Sequence, residues 1–186
     1  CYYAYDIIFM PHGENVILIL ENDAPTRIVM KDLAEEMRIL NSGATLPPVV
    51  RRNCVVLDDA VRLDGIFTDV FDCYFRHLAA ILDERQVLPE ARFWALVGEC
   101  VREYQAAQPQ YAEKFARHDV FVPEFPRNCI NRLQLRDNRQ LLDPNDPDKG
   151  FEYAGTLPNP LTGGADGSPG VLRRAMGHIG TYFLGP

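Results

Sequence analysis

The apolar run Val16-Ile17-Leu18-Ile19-Leu20 constrains the fold more than any other stretch of this chain. It is short, unbroken and rich in β-branched residues, which favours a buried strand over a helix. Glu21-Asn22-Asp23-Ala24-Pro25-Thr26 follows, bringing together Asn, Asp and Pro, the residues that turn a backbone most readily. Arg27-Ile28-Val29-Met30-Lys31 then reads as a return strand, so the segment is expected to fold as a β-hairpin. With the turn centred on Asp23-Ala24, Asp32 falls opposite Asn15, and Glu14 lies one step away. His12 and Glu14 are two apart and point the same way if that stretch is extended.

The open end of the hairpin therefore gathers an amide, carboxylates and an imidazole. Oxygen donors of this kind suit Mg²⁺, which takes few protein ligands and leaves positions for phosphate oxygens. Protein kinases use the same order: a metal-binding Asn, a hairpin, then a metal-binding Asp. Their catalytic base lies five residues before the Asn, and here that position is Met10, which cannot accept a proton. Phosphate transfer to a hydroxyl is thus disfavoured, whereas adenylation of a carboxylate needs no base. A purely structural reading stands beside this one. His12-Gly13-Glu14-Asn15 is also a good turn, and Asp32 a good N-cap for a helix beginning at Leu33.

Beyond the hairpin, Leu33–Leu40 reads as a short helix ending near Asn41-Ser42-Gly43, and Ala44–Arg52 as an extended loop. From Leu57 to Glu84, Val61, Ile66, Val70, Phe71, Tyr74, Leu78, Ile81 and Leu82 recur at helical spacing. This predicts one long helix with a possible break at Gly65. Pro89 suits the first turn of a second helix reaching Ala107, with Phe93, Leu96, Val97, Cys100 and Tyr104 inward. A third starts at Pro109 and ends near His118, where a positive charge would favour the helix dipole. Asn128–Arg139 reads as a short helix or strand. Asp143–Pro186 reads as loop, except around Val171–His178. The expected fold is α+β and mainly α: one hairpin packed on a helical body.

With 19 Lys+Arg against 26 Asp+Glu and a net charge of -7, the chain lacks the broad positive surface of a nucleic-acid binder. No apolar run approaches the roughly 20 residues that span a bilayer. The five cysteines are odd in number, no two are closer than 19 residues, and none form a C-x-x-C pair. They read as buried or free thiols in a reducing cytoplasm. Arg127, Arg132, Arg136 and Arg139 form the one local basic patch, suited either to a carboxylate-rich substrate or to neighbouring acids. Trp94 and the aromatic stripe read as core, and His77 as a packed or surface histidine. The chain opens with residues typical of a domain interior and is expected to be a fragment.

Several motifs, in order, resemble one family. They are Pro11-His12-Gly13-Glu14-Asn15-Val16-Ile17-Leu18 with Lys31-Asp32-Leu33, then Arg127–Asn138, then Ala154-Gly155-Thr156-Leu157-Pro158-Asn159-Pro160-Leu161. Together they resemble the C-terminal half of the nonribosomal-peptide-synthetase-independent siderophore synthetases, the aerobactin-synthetase (IucA/IucC) type. The resemblance implies a palm-like helical domain over residues 1–161, a Gly/Pro-rich tail over 162–186, and an absent N-terminal half. It implies an enzyme of iron acquisition that uses ATP and Mg²⁺ to adenylate a carboxylate such as citrate, then joins it to an amine or hydroxyl. His12 would touch the carboxylate substrate and, with Asp32, be catalytic. Glu14, Asn15 and Lys31 would meet the nucleotide, Glu14, Asn15 and Asp32 the metal, and Arg132 and Arg136 the substrate. Many members carry Gln at the position of Glu14. The missing half would supply the remaining phosphate-binding groups, so the fragment is expected to be inactive alone. Expected partners are the small-molecule substrates, the missing half and, in a homodimer, a second copy, with no nucleic acid and no membrane. The alternatives are a kinase-like small-molecule phosphotransferase and a non-catalytic ferric-siderophore reductase or binding module. Such reductases hold an iron–sulfur cluster through closely spaced cysteines, which this chain lacks.

Overall fold

The structure is a computed structural model that describes residues 1–11, 15–33, 37–40, 43, 45–129 and 152–162. A single turn, α1 (Tyr2–Tyr5), stops at Asp6, whose φ of 55° turns the chain into β1 (Ile7–Phe9). The hairpin follows as β2 (Val16–Glu21) and β3 (Ala24–Met30), and then β4 (Met37–Ile39) pairs antiparallel with β1. The helical body comprises a π-helical segment Ile66–Phe75 running directly into α2 (Arg76–Glu84), then α3 (Glu90–Ala107) and α4 (Ala112–Arg117). β5 (Glu124–Cys129) and β6 (Glu152–Pro158) close the described chain as an antiparallel pair. The architecture is α+β as expected, but among the described residues it holds three two-stranded sheets where one hairpin was expected.

Two elements correct the sequence reading. Met37–Ile39 is a strand, although Leu33–Leu40 is composed of helix formers. Its partner Ile7–Phe9, with Ile8 2% exposed, draws it into the core by tertiary pairing that outweighs local preference. Glu152–Pro158 is likewise a strand and not loop. It pairs from Glu124↔Pro158 to Cys129↔Glu152 around an irregularity after Pro126. Proline cannot donate to the ladder, so the β5–β6 pair is bulged where a longer apolar run would have announced it. The expected segment Val171–His178 lies outside the described residues, as does Asn128–Arg139 beyond its first two positions.

The long helix begins at Asp64, not Leu57, because Asp59–Val61 forms a 3₁₀ turn held by Arg62 Nε to Asp59 Oδ1 at 3.1 Å. In its π segment each turn takes more residues than in an α-helix, so the buried face shifts. Phe67, Phe71 and Ala79 are buried, whereas Val61 and Ile81 of the expected stripe are exposed. On α3 the inward face holds Trp94, Val97, Gly98 and Val101, while Leu96, Cys100 and Tyr104 of the expected set face out.

Aromatic rings centre the core. Phe67 stacks on Phe125 at 4.7 Å and 6°, Phe71 tilts against Trp94 at 5.7 Å, and Phe93 meets Trp94 edge-on at 5.4 Å. Each such pair adds about 0.5–1.5 kcal/mol beyond its buried area. His118 caps α4 and is buried against Tyr2, ring to ring at 5.7 Å. Burial is the main cause of its lowered pKa, so it packs as a neutral ring instead of lending charge to the helix dipole. Among the described residues no helix is long and apolar enough to cross a membrane.

Candidate functional site

The hairpin positions the candidate site. Its tip is a two-residue turn, Asn22 and Asp23, with φ of 52° and 62°. Asn and Asp tolerate this left-handed geometry better than other L-residues, and its twist suits the flanking strands. The ladder runs from Val16↔Met30 to Ile19↔Arg27, then shifts so that Leu20 meets Pro25 and Glu21 meets Ala24. The turn lies one residue earlier than the sequence suggested and the irregularity in β3 restores part of that shift, so Asn15 faces Lys31 and not Asp32. The Lys31 N–H donates to the Asn15 carbonyl at 3.1 Å. Asp32 comes one residue later, where a φ of 57° swings the chain off the ladder.

The hairpin thus brings Asn15, Lys31 and Asp32 to one end, in different surroundings. Asn15 is 1% exposed, whereas Lys31 and Asp32 face solvent. Lys31 Nζ lies 3.0 Å from Asp32 Oδ2, with each side chain about half exposed. An ion pair this open contributes little to stability and exchanges readily for another partner. Leu33 is a turn residue and the next described element is β4, so among the described residues no helix starts at Asp32. His12, Glu14, Arg132, Arg136 and Arg139 lie outside the described residues, and Arg127 sits half-buried on β5.

Asp32 and Asn15 carry a carboxylate and an amide, donors whose oxygen chemistry fits Mg²⁺, and of the two only Asp32 faces solvent. Among the described residues no group of three or more His, Cys, Asp or Glu could hold a metal by itself.

The sequence reading missed a second polar set. Thr68, Asp69, Asp72 and Arg76 are all buried on the core side of the long helix. Asp72 Oδ1 pairs with Arg76 Nη1 at 2.7 Å, and Asn128 Nδ2 of β5 donates to Thr68 Oγ1 at 3.1 Å. Asn128 is the second residue of the second family-like motif, so part of that motif ties β5 to the π segment. Asn159, in the third motif, is 2% exposed and donates to the carbonyls of Val120 and Val122 at 2.8 and 2.7 Å. Charged residues interrupting an apolar helical face were the signal available for the first group. Nothing local marks Asn159.

A helical body with small antiparallel sheets, and a hairpin end that carries an amide, a lysine and a carboxylate, define an α+β domain. Comparison with known proteins makes this specific. Residues 1–143 match the family model described as "Ferric iron reductase FhuF-like transporter", and the chain belongs to that FhuF-like family, in the form carried by the siderophore synthetases named above. It is 48% identical over 160 residues to putrebactin synthase of Shewanella sp. (strain MR-4), covering 86% of this chain and 25% of that protein. It is 34% identical over 161 residues to the rhizobactin siderophore biosynthesis protein RhbF of Rhizobium meliloti (strain 1021), covering 84% and 26%. The fold matches that of aerobactin synthetase IucC from a hypervirulent pathotype of Klebsiella pneumoniae. That match has a TM-score of 0.66 at 24% identity, over 87% of this chain and 28% of that one. The chain spans about a quarter of the length of the relatives it matches.

Proposed function

We propose that this chain is the palm-like part of an ATP- and Mg²⁺-dependent siderophore synthetase of the cytoplasm. The enzyme would adenylate a carboxylate such as citrate and condense it with an amine or hydroxyl. The observation that carries the reading is the hairpin mouth at Asn15, Lys31 and Asp32, in a chain 48% identical to putrebactin synthase. Asp32 and Asn15, with Glu14, would hold the metal, which when bound supplies charge neutralisation for the triphosphate. Lys31 would leave Asp32 for a phosphate oxygen, an exchange their open ion pair permits. His12 would orient the substrate carboxylate, and Arg132 and Arg136 would hold its remaining carboxylates bidentately.

The balance is simple. A carboxylate oxygen attacks the α-phosphorus and pyrophosphate leaves with the electron pair of the broken P–O bond. The amine or hydroxyl then attacks the acyl carbon, AMP departs with the electron pair of the broken C–O bond, and the nucleophile gives one proton to water. Neither carboxylate attack nor AMP departure needs a base at the Met10 position. The FhuF-like description favours a second reading, a ferric reductase. The cysteine spacing disfavours a clustered thiolate ligand set, and the synthase relatives favour ligation.

The test is Asp32→Asn in a full-length synthetase carrying this segment. Carboxylate-dependent formation of AMP and pyrophosphate should fall at least about 100-fold, the scale of a lost metal ligand. Near-normal turnover would refute the assignment, and ADP as product would favour the phosphotransferase.

A further inference from the structure

Thr68 carries a hydroxyl where packing asks for none. It is 1% exposed on the π segment, between Phe67 and Asp69, which are also buried. Valine has nearly the same shape and needs no polar partner, whereas a buried hydroxyl costs free energy unless it is hydrogen-bonded. A partner comes from outside the helix: Asn128 Nδ2 of β5 donates to Thr68 Oγ1 at 3.1 Å. Asn is depleted in strands, and this one is half-buried in its strand.

The strand pair is shaped to make that contact. Phe125 and Asn128 are three residues apart, so a regular strand would send them to opposite faces. Both reach the π segment, Phe125 by stacking on Phe67 at 4.7 Å and Asn128 by its bond to Thr68. The irregularity of the ladder lies between them. Pro126 pairs with Thr156 and Asn128 with Tyr153, so Ala154 and Gly155 of β6 together oppose Arg127. Gly155 takes a φ of 99°, which glycine adopts without strain, and a bulge of this kind re-aims the side chains beside it. Residues of the second and third family-like motifs thus meet at one bulge, and Thr68 holds the side chain next to it.

We propose that Thr68 is a positioning residue for the carboxylate substrate: through Asn128 it fixes, on the helical body, the stretch Arg127-Asn128 with which the second motif begins. The proposal rests on the synthetase reading, which gives that motif to the carboxylate. Arg127 precedes Asn128 directly and belongs to the same basic patch. A guanidinium meets a carboxylate through two parallel hydrogen bonds, so a small displacement of its backbone costs affinity. The Phe67–Phe125 stack already holds β5 to the helix by non-directional burial. The Asn128–Thr68 bond adds modest net stability but fixes direction.

The test is the split between KM and kcat in a full-length synthetase carrying this segment, read as AMP and pyrophosphate formation with citrate, and with succinate as a second probe. Thr68→Val keeps the shape and withdraws the acceptor. It should raise the KM for the carboxylate at least about fivefold, the lower end for a buried hydrogen bond left half-made, with kcat and the KM for ATP within about twofold. Thr68→Ser returns the hydroxyl and should return the KM. Asn159→Ala weakens the opposite end of the same strand pair and should lower the urea midpoint without moving the KM. An unchanged KM in Thr68→Val, or Thr68→Ser as impaired as Thr68→Val, would overturn the proposal. So would an equal rise in Asn159→Ala, which would mark general loosening of the sheet. Turnover that survives Asp32→Asn beside the expected Thr68 results would count against the metal assignment alone. An unaltered enzyme that forms no AMP with either acid would overturn the ligase reading and this proposal with it.

Discussion

Asp64 opens the long helix, where an N-terminal dipole favours a carboxylate, yet burial raises its pKa from 3.8 to about 6. The folded protein therefore binds more protons than the unfolded chain between those values. Stability falls as pH rises through that window and stays reduced above it. Asp64→Asn removes the titration. Relative to wild type the variant should gain stability from pH 4 to pH 7, read as urea midpoints of the two proteins across the range. A difference that does not change with pH would show that Asp64 is ordinarily hydrated. His118 works in the opposite sense. Its lowered pKa makes its contribution complete above the unfolded histidine range and lost as pH falls through it.

At the scale of elements, Asn159 fastens the end of β6 to the segment that leads into β5. Its amide donates to Val120 and Val122, its side-chain oxygen accepts from the Leu161 N–H at 3.0 Å, and its own N–H donates to Pro123 at 2.8 Å. Asn159→Ala strands two carbonyls and an N–H in a buried place and should cost about 3 kcal/mol in denaturant unfolding. A loss under about 0.5 kcal/mol would mean that water replaces the amide. Asn159→Asp would turn a carboxylate towards those carbonyls, so its deficit should deepen as pH rises. This clip was invisible in the sequence, as were β4 and β6. Met37–Ile39 and Glu152–Pro158 form strands only because distant partners pair with them. The β2–β3 hairpin was legible because an apolar run, a turn and a second run lie side by side. Its register was off by one residue because the turn is Asn22-Asp23 and β3 is irregular between Arg27 and Pro25. That shift puts Lys31 opposite Asn15, and Asp32 one residue beyond it. The burial of Asn15 depends on packing that no local pattern encodes.

Across the whole molecule, the first residues are tied to the last helix of the body. Lys114 Nζ donates to the carbonyls of Tyr2 and Tyr3 at 3.1 and 3.2 Å and to Asp6 Oδ1 at 2.7 Å, closing a loop of 108 residues at the last contact. The Tyr3 hydroxyl donates to the His118 carbonyl at 2.7 Å, and Arg62 reaches Asp6 from the other side at 3.4 Å. Closing so long a loop costs entropy early in folding, and these bonds repay it only once α4 is in place. Lys114→Met keeps the aliphatic stem and removes the charge, leaving two carbonyls and part of a carboxylate unanswered. Hydrogen bonds to a charged donor carry about 1.5–3 kcal/mol, so global stability should fall by roughly 2 kcal/mol at an unchanged denaturant slope. The strands β1 and β4 should lose protection with it, because β1 follows directly from the clamped turn and pairs with β4. The hairpin β2–β3, whose strands among the described elements pack closely only on each other, should exchange as before. If Lys114→Met left β1 and β4 as protected as in wild type, the beginning of the chain would be held by its apolar packing, with Tyr2 and Ile8 in the core, and the ionic clamp would be incidental.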